Sequence, residues 1–179
     1  MTQTFSCDIE TDGIEATKVW CVAVQDIYTE DTQVFYESKD FNEWIDSQTL
    51  VFHNGIAFDI PVLARLWGTD FGNTTIEDTL ILSQLDSPRR EGGHSLANWG
   101  EYLGYPKGDH EDWSKLSDEM VEYCLRDVEI TTKVYKLMKQ KRLSEDAKQL
   151  EYATKRHCSW QERTGWLFDE RGAIEILQK

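Results

Sequence analysis

Nowhere in this 179-residue chain is there an apolar run long enough to cross a bilayer. Met1-Thr2-Gln3-Thr4 places no basic segment ahead of an apolar one, so no signal peptide is expected and the protein should stay in the compartment where it is made. Cysteine is sparse. Cys7, Cys21, Cys124 and Cys158 are widely spaced and form no Cys-x-x-Cys pair. That argues against a disulfide framework or a cysteine-built zinc site, and the expectation is buried, reduced thiols in a cytoplasm. His53 and His94 also lack metal-ligand spacing. Basic residues are scarce, 19 against 33 acidic, for a formal net charge of −14. Such a chain lacks the basic surface that grips duplex DNA non-specifically. A small site in which carboxylates hold divalent cations against a phosphate remains compatible with it, and a partner would then supply the grip on nucleic acid. No internal repeat and no low-complexity tract interrupts the sequence.

What is present is enough for one packed domain: 40% hydrophobic residues, 12% aromatic, seven tryptophans. Phe5 to Glu10 and Val19 to Gln25 are β-prone runs separated by a turn at Asp12-Gly13, which predicts two neighbouring antiparallel strands; Gln33 to Tyr36 adds a third. Asp40 to Asp46 reads as a short helix. Leu50-Val51-Phe52 is a buried strand broken by Asn54-Gly55, and Ile60 to Trp67 is a helix with Pro61 in its first turn. Thr75 to Leu85 reads as a strand end and a helix, Ser87 to His94 as a loop, Ser95 to Leu103 as helix, and Gly104 to Lys115 as a polar, turn-rich segment. A long helix follows, capped by Ser117, with Met120, Cys124, Thr131, Tyr135 and Met138 marking a buried face. Ser144 starts another, running to about Arg163. The pattern predicts an α/β fold, a mixed central sheet flanked by helices.

Three short acidic motifs stand out. In Asp8-Ile9-Glu10 the two acids project from one face of a strand, and adjacent carboxylates repel unless a proton or cation lies between them. Asn54, Phe58 and Asp59 lie where a strand gives way to a helix, and an acid suits that helix's positive end. Tyr123 and Asp127 are one turn apart on the long helix and share a face. Taken singly, each has an ordinary structural reading: an acidic strand end, a helix cap, a core-edge tyrosine.

Together, in this order, they resemble the proofreading 3′–5′ exonucleases named DEDD for their four acids. Tyr123 points to the tyrosine subclass, because the histidine of the sister subclass would fall at Glu122. The chain is most similar to the N-terminal exonuclease domain of family A DNA polymerases, those of podophage-type bacteriophages in particular. Asp8-Ile9-Glu10, Val51 to Gly55, Asp78-Thr79-Leu80, His94-Ser95-Leu96 with Trp99, Leu103-Gly104 and Tyr123 to Asp127 carry the likeness over nearly the whole chain.

This resemblance implies a ribonuclease-H-like fold and two divalent ions, magnesium or manganese. On it, Asp8 is expected to bridge the ions, Glu10 and Asp127 to complete the tighter site, and Asp59 to hold the second ion. Tyr123 is expected to orient the attacking water, and Asn54 and Phe58 to hold the terminal nucleotide. Asp78 is expected to be a structural cap, and Arg89, Arg90 and Lys107 to be loop cations within possible reach of phosphate. The partners implied are a single-stranded DNA 3′ end and a DNA polymerase subunit or domain, in the host cytoplasm if the chain is phage-encoded. Residues 1–143 form the expected exonuclease domain and 144–179 a helical extension. Within it, Gln161 to Asp169 resembles the entry to a polymerase domain, as in a split or truncated polymerase; its plainer reading is a terminal helix capped by Asp169. Two other functions fit the same residues, trimming of RNA 3′ ends and a non-catalytic module that docks a polymerase.

Overall fold

A computed structural model describes residues 3–178. Five strands, β1 (Thr4–Thr11), β2 (Val19–Asp26), β3 (Thr32–Phe35), β4 (Thr49–Phe52) and β5 (Thr75–Asp78), form one mixed sheet in the order β3-β2-β1-β4-β5. β1 is central, antiparallel to β2 and parallel to β4, and β5 continues parallel to β4. The helices are α1 (Ser38–Trp44), α2 (Asp59–Trp67), α3 (Thr79–Asp86), α4 (Leu96–Tyr102), α5 (Asp118–Lys139), α6 (Glu145–Thr164) and α7 (Glu170–Leu177). Among the described residues, no helix is long and apolar enough to cross a membrane.

Strand periodicity divides the central strand between two layers. Cys7 and Ile9 join Val22, Val24, Leu50, Phe52, Phe41, Val62 and Leu63 in the core beneath α1 and α2. Ser6, Asp8 and Glu10 point the other way, toward α5. Small residues make room for that helix, since Cys21 and Ala23 of β2 pack against Cys124 and Val128. Ser6 then ties helix to sheet, donating to the Val128 carbonyl (3.0 Å) and sharing a 2.6 Å hydrogen bond with Thr132. The outer part of α5 contributes Ile130, Val134, Tyr135 and Met138 to a second core with Val51, Ile81, Leu82 and Trp99.

The helix signals in the sequence act as expected. Ser117 accepts from the Met120 amide and Ser144 from the Ala147 amide; Asp118 and Glu119 occupy the first turn of α5, and Lys136 and Lys139 the last. The first half of α6 is fixed to β5: Tyr152 is buried and donates to Glu77 (2.7 Å), while Lys148 pairs with Glu77 (3.3 Å) and Glu145 (2.6 Å). Beyond Ser159 the chain becomes exposed. α7 is capped by Asp169, which accepts from the Gly172 amide (2.9 Å), and buries none of its residues.

Candidate active site

Each site residue reaches the same place by a different local device. Asp8 and Glu10 ride the α5-facing side of β1, and the pairing with β2 becomes irregular between Glu10 and Thr11, just beside them. Asp59 is the first residue of α2, at the positive end of its dipole. The turn that delivers it is sterically specified. Asn54 adopts φ 70°, a left-handed conformation that asparagine tolerates better than most residues. A Cβ on Gly55 would lie 2.3 Å from the Phe52 Cβ. Buried Asp78 pins the same turn, accepting from the amides of Asn54 (2.9 Å), Ile56 (3.2 Å) and Leu80 (3.0 Å), which leaves it structural as expected. Gly55→Ala should therefore lower stability by about 2 kcal/mol or more, roughly 4–8 °C in Tm, and displace Asp59. A thermal melt checks it; an unchanged Tm would contradict the account of the turn.

Tyr123 and Asp127 lie one turn apart on α5. They line a cavity of about 560 Å³ together with Asp8, Glu10, Asp59, Asn54 and Phe58, so the structure brings together all seven residues singled out by sequence. Phe58 also packs against the core beneath α2, so it serves both the wall and the fold. Of the three loop cations, Lys107 turns into the cavity and pairs with Asp127, its ammonium 4.6 Å from the Tyr123 ring centre. Arg90, half-buried, stacks 3.7 Å over Trp99, and both it and Arg89 line a different pocket.

Sequence reasoning missed Trp113 and Ile14, which also line the cavity. Trp113 meets Tyr123 edge-on (5.7 Å, 83°), and its carbonyl accepts from the Trp20 indole. An apolar ring inside an otherwise polar, turn-rich segment was the one available signal. His53 shares a 2.8 Å hydrogen bond with Thr79, and burial lowers its pKa to about 4, so it is neutral.

The site carries too much negative charge for its surroundings. Burial first, and then the neighbouring acids, push the Asp8 carboxyl well above the usual range and Glu10 up to about 9. Burial lifts Asp59 to about 7, against the opposing pull of backbone amides. Asp127 is also raised by burial, although Lys107 counters it. For Lys107 itself, burial is the largest single influence and favours the neutral amine, but the charge and hydrogen bond of Asp127, with Tyr123 and Asp8 behind them, together outweigh it and the net shift is upward. Two buried oxygens of the site, Glu10 Oε1 and Asp127 Oδ1, have no hydrogen-bond partner among the described residues. Among the described residues, Lys107 is the one basic side chain lining the cavity apart from neutral His53. Four acids, one lysine and two orphaned oxygens fit hard divalent cations with oxygen coordination.

The profile of a 3′–5′ exonuclease family matches residues 2–142. This chain belongs to that family. Curated relatives are similar over most of the chain: the DNA-directed DNA polymerase of Escherichia phage T7 is 27% identical across 95% of this chain, and that of Enterobacteria phage T3 is 26% identical across the same share. The chain spans about a third (34%) of the length of these polymerases. Among solved structures, Brucella melitensis NrnC is similar at a TM-score of 0.72, with 22% identity over 93% of this chain and 88% of that one. Phi29 DNA polymerase complexed with single-stranded DNA aligns at 0.56, with 19% identity over 84% of this chain and 34% of that one. The fold is thus the ribonuclease-H-like α/β plan, a mixed sheet flanked by helices.

Proposed function

We propose that this exonuclease domain hydrolyses the 3′-terminal phosphodiester of single-stranded DNA, with two magnesium or manganese ions held by Asp8, Glu10, Asp59 and Asp127. The observation that carries the reading is the convergence of these four acids on one cavity, with Glu10 Oε1 and Asp127 Oδ1 unpartnered. When bound, such ions lower the pKa of an attacking water and neutralise charge on the phosphate and the leaving oxygen.

The chain's own residues do the rest. Asp8 feels the charges of Asp127, Asp59 and Glu10 alike, which makes it the natural shared ligand. Lys107 keeps Asp127 compensated and oriented. Tyr123 positions the water through its hydroxyl. Burial raises its pKa above the ordinary tyrosine value, so it is no base at neutral pH, and the water's proton leaves to solvent. Phe58 stacks on the unpaired terminal base, worth roughly 1–3 kcal/mol whatever the base, and the Asn54 amide holds that nucleotide, a reading supported by both residues lining the cavity.

A 5′-labelled single-stranded DNA oligonucleotide should give a ladder shortening from its 3′ end in magnesium or manganese and none in EDTA. RNA of equal sequence is expected to be the poorer substrate, and a preference for it would replace DNA by RNA in this reading. No degradation of either would leave the non-catalytic module. Tyr123→Phe should slow hydrolysis by roughly 10–100-fold, well short of a carboxylate loss, because it removes orientation only. Complete inactivation of folded protein would give the phenol a larger role.

Proofreading beside a polymerase is part of the proposal. It rests on the phage polymerase relatives, on the net charge of −14 and on the exposed Trp166, Leu167 and Phe168 that follow α6. The phage relatives also suggest a host cytoplasm as the working compartment.

A further inference from the structure

A sulfur atom stands against the acid cluster on the side away from the cavity. Cys124 of α5 is fully buried, its Sγ 3.6 Å from the Asp8 carbonyl oxygen and 3.7 Å from Asp8 Oδ2. Ligand atoms of Asp8, Glu10 and Cys124 all lie within 4.8 Å of one another. Glu10 is 5% exposed and its Oε1 has no partner. Strand register explains the crowding: Glu10 lies directly across from Cys21, and Cys21 packs against Cys124 beneath the same helix.

We infer that Asp8, Glu10 and Cys124 form a mixed carboxylate–thiolate site for a thiophilic dication of the zinc type, which excludes the hard ions of the nuclease reaction. Zinc takes thiolate and carboxylate together in tetrahedral geometry, with bonds of about 2.3 Å to sulfur and 2.1 Å to oxygen, so neighbouring sulfur and oxygen ligands stand about 3.6 Å apart. The 3.7 Å between Cys124 Sγ and Asp8 Oδ2 already matches that edge. Magnesium demands oxygen ligands and leaves the thiol alone. On binding, the S–H bond of Cys124 breaks, its proton and those that Asp8 and Glu10 hold in the metal-free fold pass to solvent, and sulfur–metal and carboxylate–metal bonds form with no change of oxidation state. Cysteine spacing could not reveal this site, because its other ligands are acids on a different element.

Binding itself depends only on these three side chains. Its consequence, inhibition of hydrolysis by displacement of the hard ions, rests on the exonuclease reading above. The test uses protein carrying Cys158→Ser, which removes the exposed thiol. Titrated metal-free with cadmium, it should develop the ultraviolet thiolate-to-cadmium band. The band should be lost in the further Cys124→Ala variant and weakened in Asp8→Asn, with folding checked by circular dichroism and Cys124→Ser made in parallel. In magnesium, the zinc concentration that halves each protein's own rate should rise about tenfold or more on Cys124→Ala. No band in the Cys158→Ser protein, or a band and zinc sensitivity indifferent to Cys124, would overturn the inference. A band without any magnesium-dependent nuclease activity would support the site and sink the exonuclease reading alone.

Discussion

Asp8→Asn combined with Asp127→Asn is expected to cut 3′-end hydrolysis by at least about a thousandfold, and at the same time to raise the melting temperature of the metal-free protein. The two effects share one cause. Asp127 and Glu10 are almost wholly buried and each leaves an oxygen without a partner, while Asp8 faces three other acids. Without cations, the folded state has to hold repelling charges in a poorly hydrated cavity, or hold protons at neutral pH. Asparagine keeps the shape and removes the charge. It also removes the anionic ligands on which the proposed chemistry depends, so stability and activity move in opposite directions. Rate assays on labelled oligonucleotide and melts in EDTA check both halves. A double variant that retains wild-type activity would remove the site assignment. One that is inactive and also less stable would mean that the acids serve the fold.

The second large effect is a dependence of stability on pH that reverses when metal is added. A buried acid with a raised pKa holds its proton in the folded state after the unfolded chain has released it. For Glu10 this window runs from the ordinary 4.5 up to about 9, and for Asp59 from 3.8 to about 7. Inside the window the folded state binds more protons than the unfolded one, so stability falls as pH rises, by about 1.4 kcal/mol per pH unit for each such proton. His53 acts in the opposite sense, but only between about 4 and its ordinary 6.5. Between pH 6.5 and 8.5 the acids therefore dominate, and metal-free protein should lose roughly 5–10 °C in Tm. Millimolar magnesium or manganese should flatten or invert that slope, because a ligand that binds the folded state alone at about 100 times its Kd adds about 2.7 kcal/mol. Scanning calorimetry across this range, with EDTA and with metal, decides it. A flat metal-free profile would show that the acids are not held protonated in the fold.

Much of this was legible in the chain itself. Serine caps and a buried stripe locate α5 and α6, and alternation alone puts Asp8 and Glu10 on one face. Strand and helix ends differ from the reading by a residue or two: α1 starts at Ser38, where the reading put Asp40, and β3 spans Thr32–Phe35. That three distant motifs meet was not derivable from periodicity; it came from their likeness to a family, and the fold brings them to one cavity. Trp113 and the inward turn of Lys107 were out of reach for a physical reason. Their segment has no repeat, so nothing local says which side chains turn inward, and only long-range partners, Asp127 and the Trp20 indole, decide it. Arg90 teaches the same lesson in reverse, a loop cation that is taken up by an aromatic ring. The approach of Cys124 to Asp8 is tertiary as well, set by how closely Cys21 and Ala23 let α5 settle on the sheet.

One measurement reaches the centre of the account. Crystals of the wild-type protein soaked in manganese, with a single-stranded oligonucleotide, should show strong anomalous peaks bounded by the carboxylates of Asp8, Glu10, Asp59 and Asp127, with Lys107 drawn off Asp127. Manganese absent from that cavity at saturating concentration, with the Lys107–Asp127 pair intact, would contradict it.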